Sequence, residues 1–130
     1  MADATYDAWQ DDILGGTAPN VTSDTVDCRI LANGYTFAAT HAIASLTAYG
    51  SEPDQPLAAG NSSITAGVWD NSDDEVFPTV DLSVGTLDAI AVFFNTTVDV
   101  PMAYFDSFTG VTPNGGDITV QWNVAGILAF

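Results

Sequence analysis

Nucleophilic catalysis in this chain would have to run through His41, its single imidazole, together with a serine or with Cys28, its single thiol. A Ser-His-Asp or Cys-His arrangement uses that histidine as the base and needs a carboxylate to orient it. His41 instead stands beside Ala42 and Ile43, and no Gly-x-Ser-x-Gly elbow occurs in the sequence. A structural role is expected for it. Cys28 lies in the alternating run Val26-Asp27-Cys28-Arg29-Ile30 and reads as a small buried hydrophobe. One neighbouring cation, Arg29, does little to hold a thiolate. One histidine and one cysteine cannot close a tetrahedral zinc site. Phosphate-cradling loops need a lysine, and lysine is absent.

Carboxylates are plentiful, 17 in all, yet no two are singled out as the acid and base of a glycosidase pair. In the loop Asp70-Asn71-Ser72-Asp73-Asp74-Glu75, residues 70, 72 and 74 alternate as an EF-hand loop begins. Glu75, however, stands where that loop needs its glycine. A solvated acidic loop is the expected reading, with Ca²⁺ the alternative. Trp69, Trp122, Tyr104 and Phe105 would stack on sugar faces if exposed, but Trp122 occupies the inward register of its segment and reads as core. The expected catalytic, metal and cofactor sets are therefore empty.

The charge balance narrows the partners. Against 17 acids there is one basic side chain, Arg29, for a net charge of −16. Binding to a phosphate backbone or to an anionic membrane needs Lys and Arg, so neither nucleic acid nor a membrane is an expected partner. Neutral or basic protein surfaces and cations are. Adaptation to high salt would account for the same composition. The lone cysteine makes no intrachain disulfide. Residues 1–7 show no positively charged start followed by an apolar stretch, and no apolar run approaches bilayer length, so folding in a cytoplasm is expected.

Residues that would have to be positioned lie on short elements. Residues 1–25 form a distinct N-terminal segment, with Tyr6, Trp9, Ile13 and Leu14 set among aspartates and followed by Gly15-Gly16. Trp9 and Ile13 are four apart. One or two helical turns ended by the glycine pair fit this spacing, as does an extended arm ordered by a partner. Residues 26–130 form the body, with a period mostly of two. Val26 to Ile30 predicts a half-buried strand, Tyr35 to Ala38 a second, and His41 to Tyr49 either a helix or a strand. Gly50 to Ser63 is a polar linker, and Ile64 to Trp69 a strand. Leu87 to Phe94 is apolar on both faces, the mark of a central covered strand. Val98 to Phe105 follows, with Pro101 tolerable only near a strand start or an edge. After the turn Thr112-Pro113-Asn114-Gly115-Gly116, Asp117 to Asn123 alternates with Ile118, Val120 and Trp122 inward, and Gly126 opens a last strand to Phe130. The expected fold is all-β: a single-domain β-sandwich or barrel of seven or eight short antiparallel strands with an N-terminal arm.

The second half of the chain adds a resemblance. The order Gly67-Val68-Trp69-Asp70, Phe77-Pro78-Thr79-Val80, Leu87-Asp88-Ala89-Ile90-Ala91-Val92, Met102-Ala103-Tyr104-Phe105-Asp106, Thr112 to Asn123, and Gly126-Ile127-Leu128 resembles small virion structural proteins encoded among the head genes of tailed bacteriophages. It covers residues 58 to 130, and the Asn-Gly-Gly-Asp stretch with its following strand is its most specific part. The resemblance implies a non-enzymatic head decoration (cement) protein on the outer surface of the virion. Its partner would be the major capsid protein, and its state a homo-oligomer, plausibly a trimer. It brings no catalytic residue. Tail, neck or fibre placement, or a carbohydrate-binding host-attachment domain, are the rival readings. Within this frame Trp9, Ile13 and Leu14 are the expected capsid contact.

Overall fold

A computed structural model describes residues 3–18, 20–81, 85–94, 100–123 and 125–129. Val98 and Phe130, the ends of two expected strands, lie outside the described residues. The chain runs β1 (Ala4–Thr5), α1 (Asp7–Gly15), β2 (Val26–Ile30), β3 (Gln55–Leu57), β4 (Ser62–Thr65), β5 (Val68–Asn71), β6 (Glu75–Phe77), β7 (Ile90–Phe94), β8 (Val100–Phe105), β9 (Ile118–Val120) and β10 (Leu128–Ala129). The strands form three antiparallel sheets: five strands in the order β1-β8-β7-β2-β3, three in the order β10-β5-β4, and the pair β6-β9. The fold is mainly β, with one α-helix among the described residues and sheets that do not close on themselves.

The five-stranded sheet is apolar on both faces. Val26, Cys28 and Ile30 of β2 and Ile90, Val92 and Phe94 of β7 point into the larger core, where they meet Trp69 and Phe77 of the smaller sheets. Ala91 and Phe93 of β7 and Tyr104 of β8 point the other way, into a second cluster with Tyr6, Leu31 and Leu46. Every residue of β7 is buried, as its two-sided apolarity predicts. The alternation of Ile118, Val120 and Trp122 also turns its apolar set to the larger core.

The predicted elements differ from the observed ones where tertiary packing overrides local pattern. β2 is not half-buried: its Asp27 is 4% exposed, because residues 31–54 lie over the polar face. Tyr35–Ala38 is irregular and His41–Tyr49 forms neither a strand nor an α-helix, with a 3₁₀ turn at Ile43–Ser45. The expected linker 50–63 contains β3, paired to β2. The segment 64–69 spans a hairpin, not one strand. Ala66 and Gly67, with φ of 51° and 80°, make its two-residue turn, the positive-φ geometry that matches strand twist. Pro101, by contrast, falls where expected, as the second residue of β8, and it pairs with Phe93 beside a register shift at Val92/Phe93, where the irregular ladder tolerates a missing N–H.

The N-terminal segment does not stand apart as an arm. β1 pairs with β8, Tyr6 is fully buried, and α1 ends at the left-handed Gly16, as the glycine pair predicts. Trp9 packs on Phe94, ring centroids 5.4 Å apart. The reason is that Tyr6 and Trp9 bury more apolar surface in this body than an arm would. Trp9→Ala is expected to cost about 3–5 kcal/mol of unfolding free energy. Leu14→Ala, at a position 87% exposed, should change it by less than about 0.5 kcal/mol. Urea unfolding measures both.

Candidate functional site

Three surfaces hold the residues with chemical potential, and the catalytic candidates fall on none of them together. His41 hangs from the turns over the second cluster, its Nδ1 2.9 Å from the Tyr35 hydroxyl, which in turn lies 3.1 Å from the Tyr6 hydroxyl. That chain of three polar groups ties residues 35–41 to β1–α1. Cys28 is fully buried in the larger core. Burial and the nearby carboxylates of Glu75, Asp54 and Asp27 push its thiol well above the usual range, the opposite of thiolate activation. Among the described residues no group of three or more His, Cys, Asp or Glu side chains is arranged to hold a metal ion.

Arg29 has a defined task. Its Nε and Nη2 donate to the two carboxylate oxygens of Asp54 at 2.7 and 2.8 Å, and its Nη1 donates to the Leu46 carbonyl at 2.6 Å. The guanidinium lies 4.7 Å from the Phe93 ring centroid. This bidentate fork pins residues 46–54 onto β2 and raises the Arg29 pKa further. The side chain is thereby directed inward and away from any anionic partner.

The acidic loop 70–75 is built as a β-connection closed by its own amides. The Asn71 N–H donates to Asp70 Oδ1 at 2.9 Å, and the Asp73 N–H to Asn71 Oδ1 at 3.0 Å. Asn71 Nδ2 donates to the Ala58 carbonyl and to Ser62 Oγ, and Asn61 Nδ2 bonds Asp73. Glu75 is different: it is 6% exposed, at the start of β6 and opposite Val120. Burial raises its pKa to about 7; the Trp122 indole offsets part of the rise, and Asp73 and Asp74 add to it. The aromatics of a sugar platform do not form one. Trp69 and Tyr104 are 3% and 5% exposed, and Trp122 packs edge-on to Phe105, 6.0 Å between centroids.

An apolar groove of about 410 Å³ lies between α1 and the β10-β5-β4 sheet, with Trp9, Trp69 and Met102 at its base and Val21, Ile64 and Leu128 around them. The three expected contact residues separate here: Trp9 is a core residue and groove floor, while Ile13 (38% exposed) and Leu14 (87%) lie on the surface. Ile64, 57% exposed, was not singled out by sequence reasoning. Its only signal is an isoleucine alone among Asn61, Ser62, Ser63 and Thr65. No protein-family model, curated protein or solved structure matches this chain.

Two outcomes follow from these charges. Arg29→Ala leaves Asp54 and the Leu46 carbonyl without their donor and should lower the unfolding free energy by about 2 kcal/mol, with Arg29→Lys recovering only part. For Glu75 the folded pKa lies above the unfolded value of 4.5, so the folded state holds the proton longer. Stability then falls as pH rises from about 4.5 to about 7 and stays low above it. Chemical unfolding at about pH 5 and about pH 8 should show this loss, and Glu75→Gln should reduce it.

Proposed function

We propose that the protein is a non-enzymatic structural component of a tailed-phage virion, a sandwich-like decoration (cement) module that docks on the outer face of the head. The observation that carries the reading is charge placement. The single guanidinium is bonded to Asp54 and Leu46, so no cationic side chain remains to meet nucleic acid. A chain with 17 acids facing packaged genome would meet phosphate repulsion without counterion release. On the outer face the acids meet solvent, and the apolar surface meets protein. The sequence resemblance of residues 58–130 supports the same placement, with the major capsid protein as partner.

Cementing of this kind works by mass action: copies that bind the mature shell and not its dissociated parts stabilise the shell. A homo-oligomer, a trimer for example, multiplies weak contacts into useful avidity. Ile13 and Leu14, at the exposed end of α1, remain candidate contact residues.

Quantitative mass spectrometry of virions of the phage that encodes the chain tests this. Hundreds of copies per particle are expected. A copy number of six to a dozen would move the protein to the tail or neck, and its absence from particles would end the proposal.

A further inference from the structure

We infer that β4 is a self-association edge, whose free side pairs antiparallel with β4 of a second copy of this chain and joins two three-stranded sheets into one of six strands. The inference deepens the homo-oligomer proposed above by naming its surface, and it rests on that reading only for what the pair is used for.

The first observation is a missing defence. Exposed strand edges are ordinarily blunted by charge, by proline or by shortness, because their unpaired main chain is a template for another strand. The other sheet-edge strands here follow that practice. β1 and β10 are two residues long, β3 contains Pro56, β6 begins with Glu75, and the three-residue β9 follows Asp117. β4, Ser-Ser-Ile-Thr, has none of these devices. It lies within residues 55–69, which carry no charged side chain in a chain with 17 acids, and its Ser63, Ile64 and Thr65 are exposed.

The second is the hydrogen-bond register. β4 and β5 are joined by the two-residue turn Ala66–Gly67 and pair Thr65 with Val68, Ile64 with Trp69, Ser63 with Asp70 and Ser62 with Asn71. Bonded and non-bonded pairs alternate along an antiparallel ladder, and a tight turn closes on a bonded pair. Thr65 and Ser63 therefore bond to β5. The Asn61 carbonyl continues the series by accepting the Ser72 N–H at 3.1 Å. Ser62 and Ile64 are left with N–H and C=O groups directed to the open side, and among the described residues no main-chain bond from outside the hairpin reaches them. That spacing is self-complementary. With Ser63 opposite Ser63 of the second copy, each Ser62 exchanges two bonds with the other copy's Ile64, four in all. The two Ile64 side chains, 57% exposed in the single chain, then share one face as diagonal neighbours.

The third is where the acids fall. Asp70 lies opposite Ser63 on the inner side, so the two Asp70 residues of a pair stand three strand spacings apart, about 14 Å. Asp73 is bonded to Asn61, which in this register faces the uncharged Thr65 of the other copy. No acids meet at the seam. What opposes the pair is the long-range repulsion of two chains at −16, which salt screens. The contact is small, so the dimer is weak and depends on ionic strength.

Sedimentation equilibrium of the full-length protein at about 200 µM should give the mass of one chain in about 20 mM NaCl and a mass rising toward two chains in about 1 M NaCl. Ile64→Asp places a charge on the seam and should weaken association at least about tenfold. Leu14→Asp has the same net charge but lies on α1, at a position 87% exposed, and should associate as the parent does. Ser62→Pro, which removes an outward donor, should weaken association as well. Thermal melting certifies each variant as folded, and Ile64→Asp carries the test if Ser62→Pro does not fold. Amide exchange by NMR supplies the signature of strand pairing: in high salt the Ser62 and Ile64 N–H groups should gain protection, while Ser63 and Thr65, already bonded within the hairpin, should change little. A single-chain mass at both salt concentrations would overturn the inference. A dimer unaffected by Ile64→Asp, or one that leaves the Ser62 and Ile64 amides unprotected, would place the contact on another face and overturn it too, as would growth past two chains. Virion copy number is measured independently, so this inference and the proposed function fail separately.

Discussion

A chain with seventeen carboxylic side chains and one guanidinium can neutralise one acid by ion pairing, and where it does so constrains everything else. Arg29 points from β2 toward the face that residues 31–54 cover. There it holds Asp54 and the Leu46 carbonyl while stacking against Phe93. The interaction fastens a long irregular connection to the central sheet and so closes the second apolar cluster of Tyr6, Leu46, Phe93 and Tyr104. With both faces of β7 covered, the sheet needs no partner to be buried. The same geometry leaves the outer surface without a cationic side chain, and the exterior is anionic by construction.

In the absence of cations several of the remaining acids are tied down by amides and hydroxyls. Asp3 accepts the N–H groups of Asp106 and Ser107, Asp24 that of Asn20, Asp117 that of Thr79, and Asp12 the Thr17 hydroxyl. Such bonds fix local turns or tie distant segments together at little desolvation cost, since each carboxylate keeps part of its hydration. Glu75 departs from this pattern. It is drawn inside by the β6-β9 pairing, and burial moves its titration to neutral pH. The body is therefore held by apolar sheets and by polar loops, with charge directed outward almost everywhere.

That division of labour bears on what the protein can touch. A surface dominated by acids keeps an apolar-rich chain dispersed and selects against phosphate. The apolar features that interrupt it include the exposed Ile13, Leu14 and Ile64 and the groove beside α1.

Much of this was legible before any coordinates. The two-sided apolarity of Leu87 to Phe94, the alternation from Ile118 to Trp122 and the glycine stop after Leu14 each state a local requirement that the fold meets: burial on two faces, burial on one, a left-handed cap. The acid excess is likewise visible in composition. The irregular course of 35–49, β3 within an apparent linker, the Ala66–Gly67 hairpin and the burial of Trp9 were decided by tertiary structure. In each case the local sequence is compatible with several conformations. The choice was made by a distant surface — the uncovered face of β2, its open edge, or the cavity beside Phe94 — whose burial outweighs local propensity. Composition and period thus specify how much must be buried and with what repeat, whereas contacts far apart in the chain specify where, and the groove, lined by α1, by Ala18, Asn20 and Val21, and by the four strands β4, β5, β8 and β10, exists only at that second level.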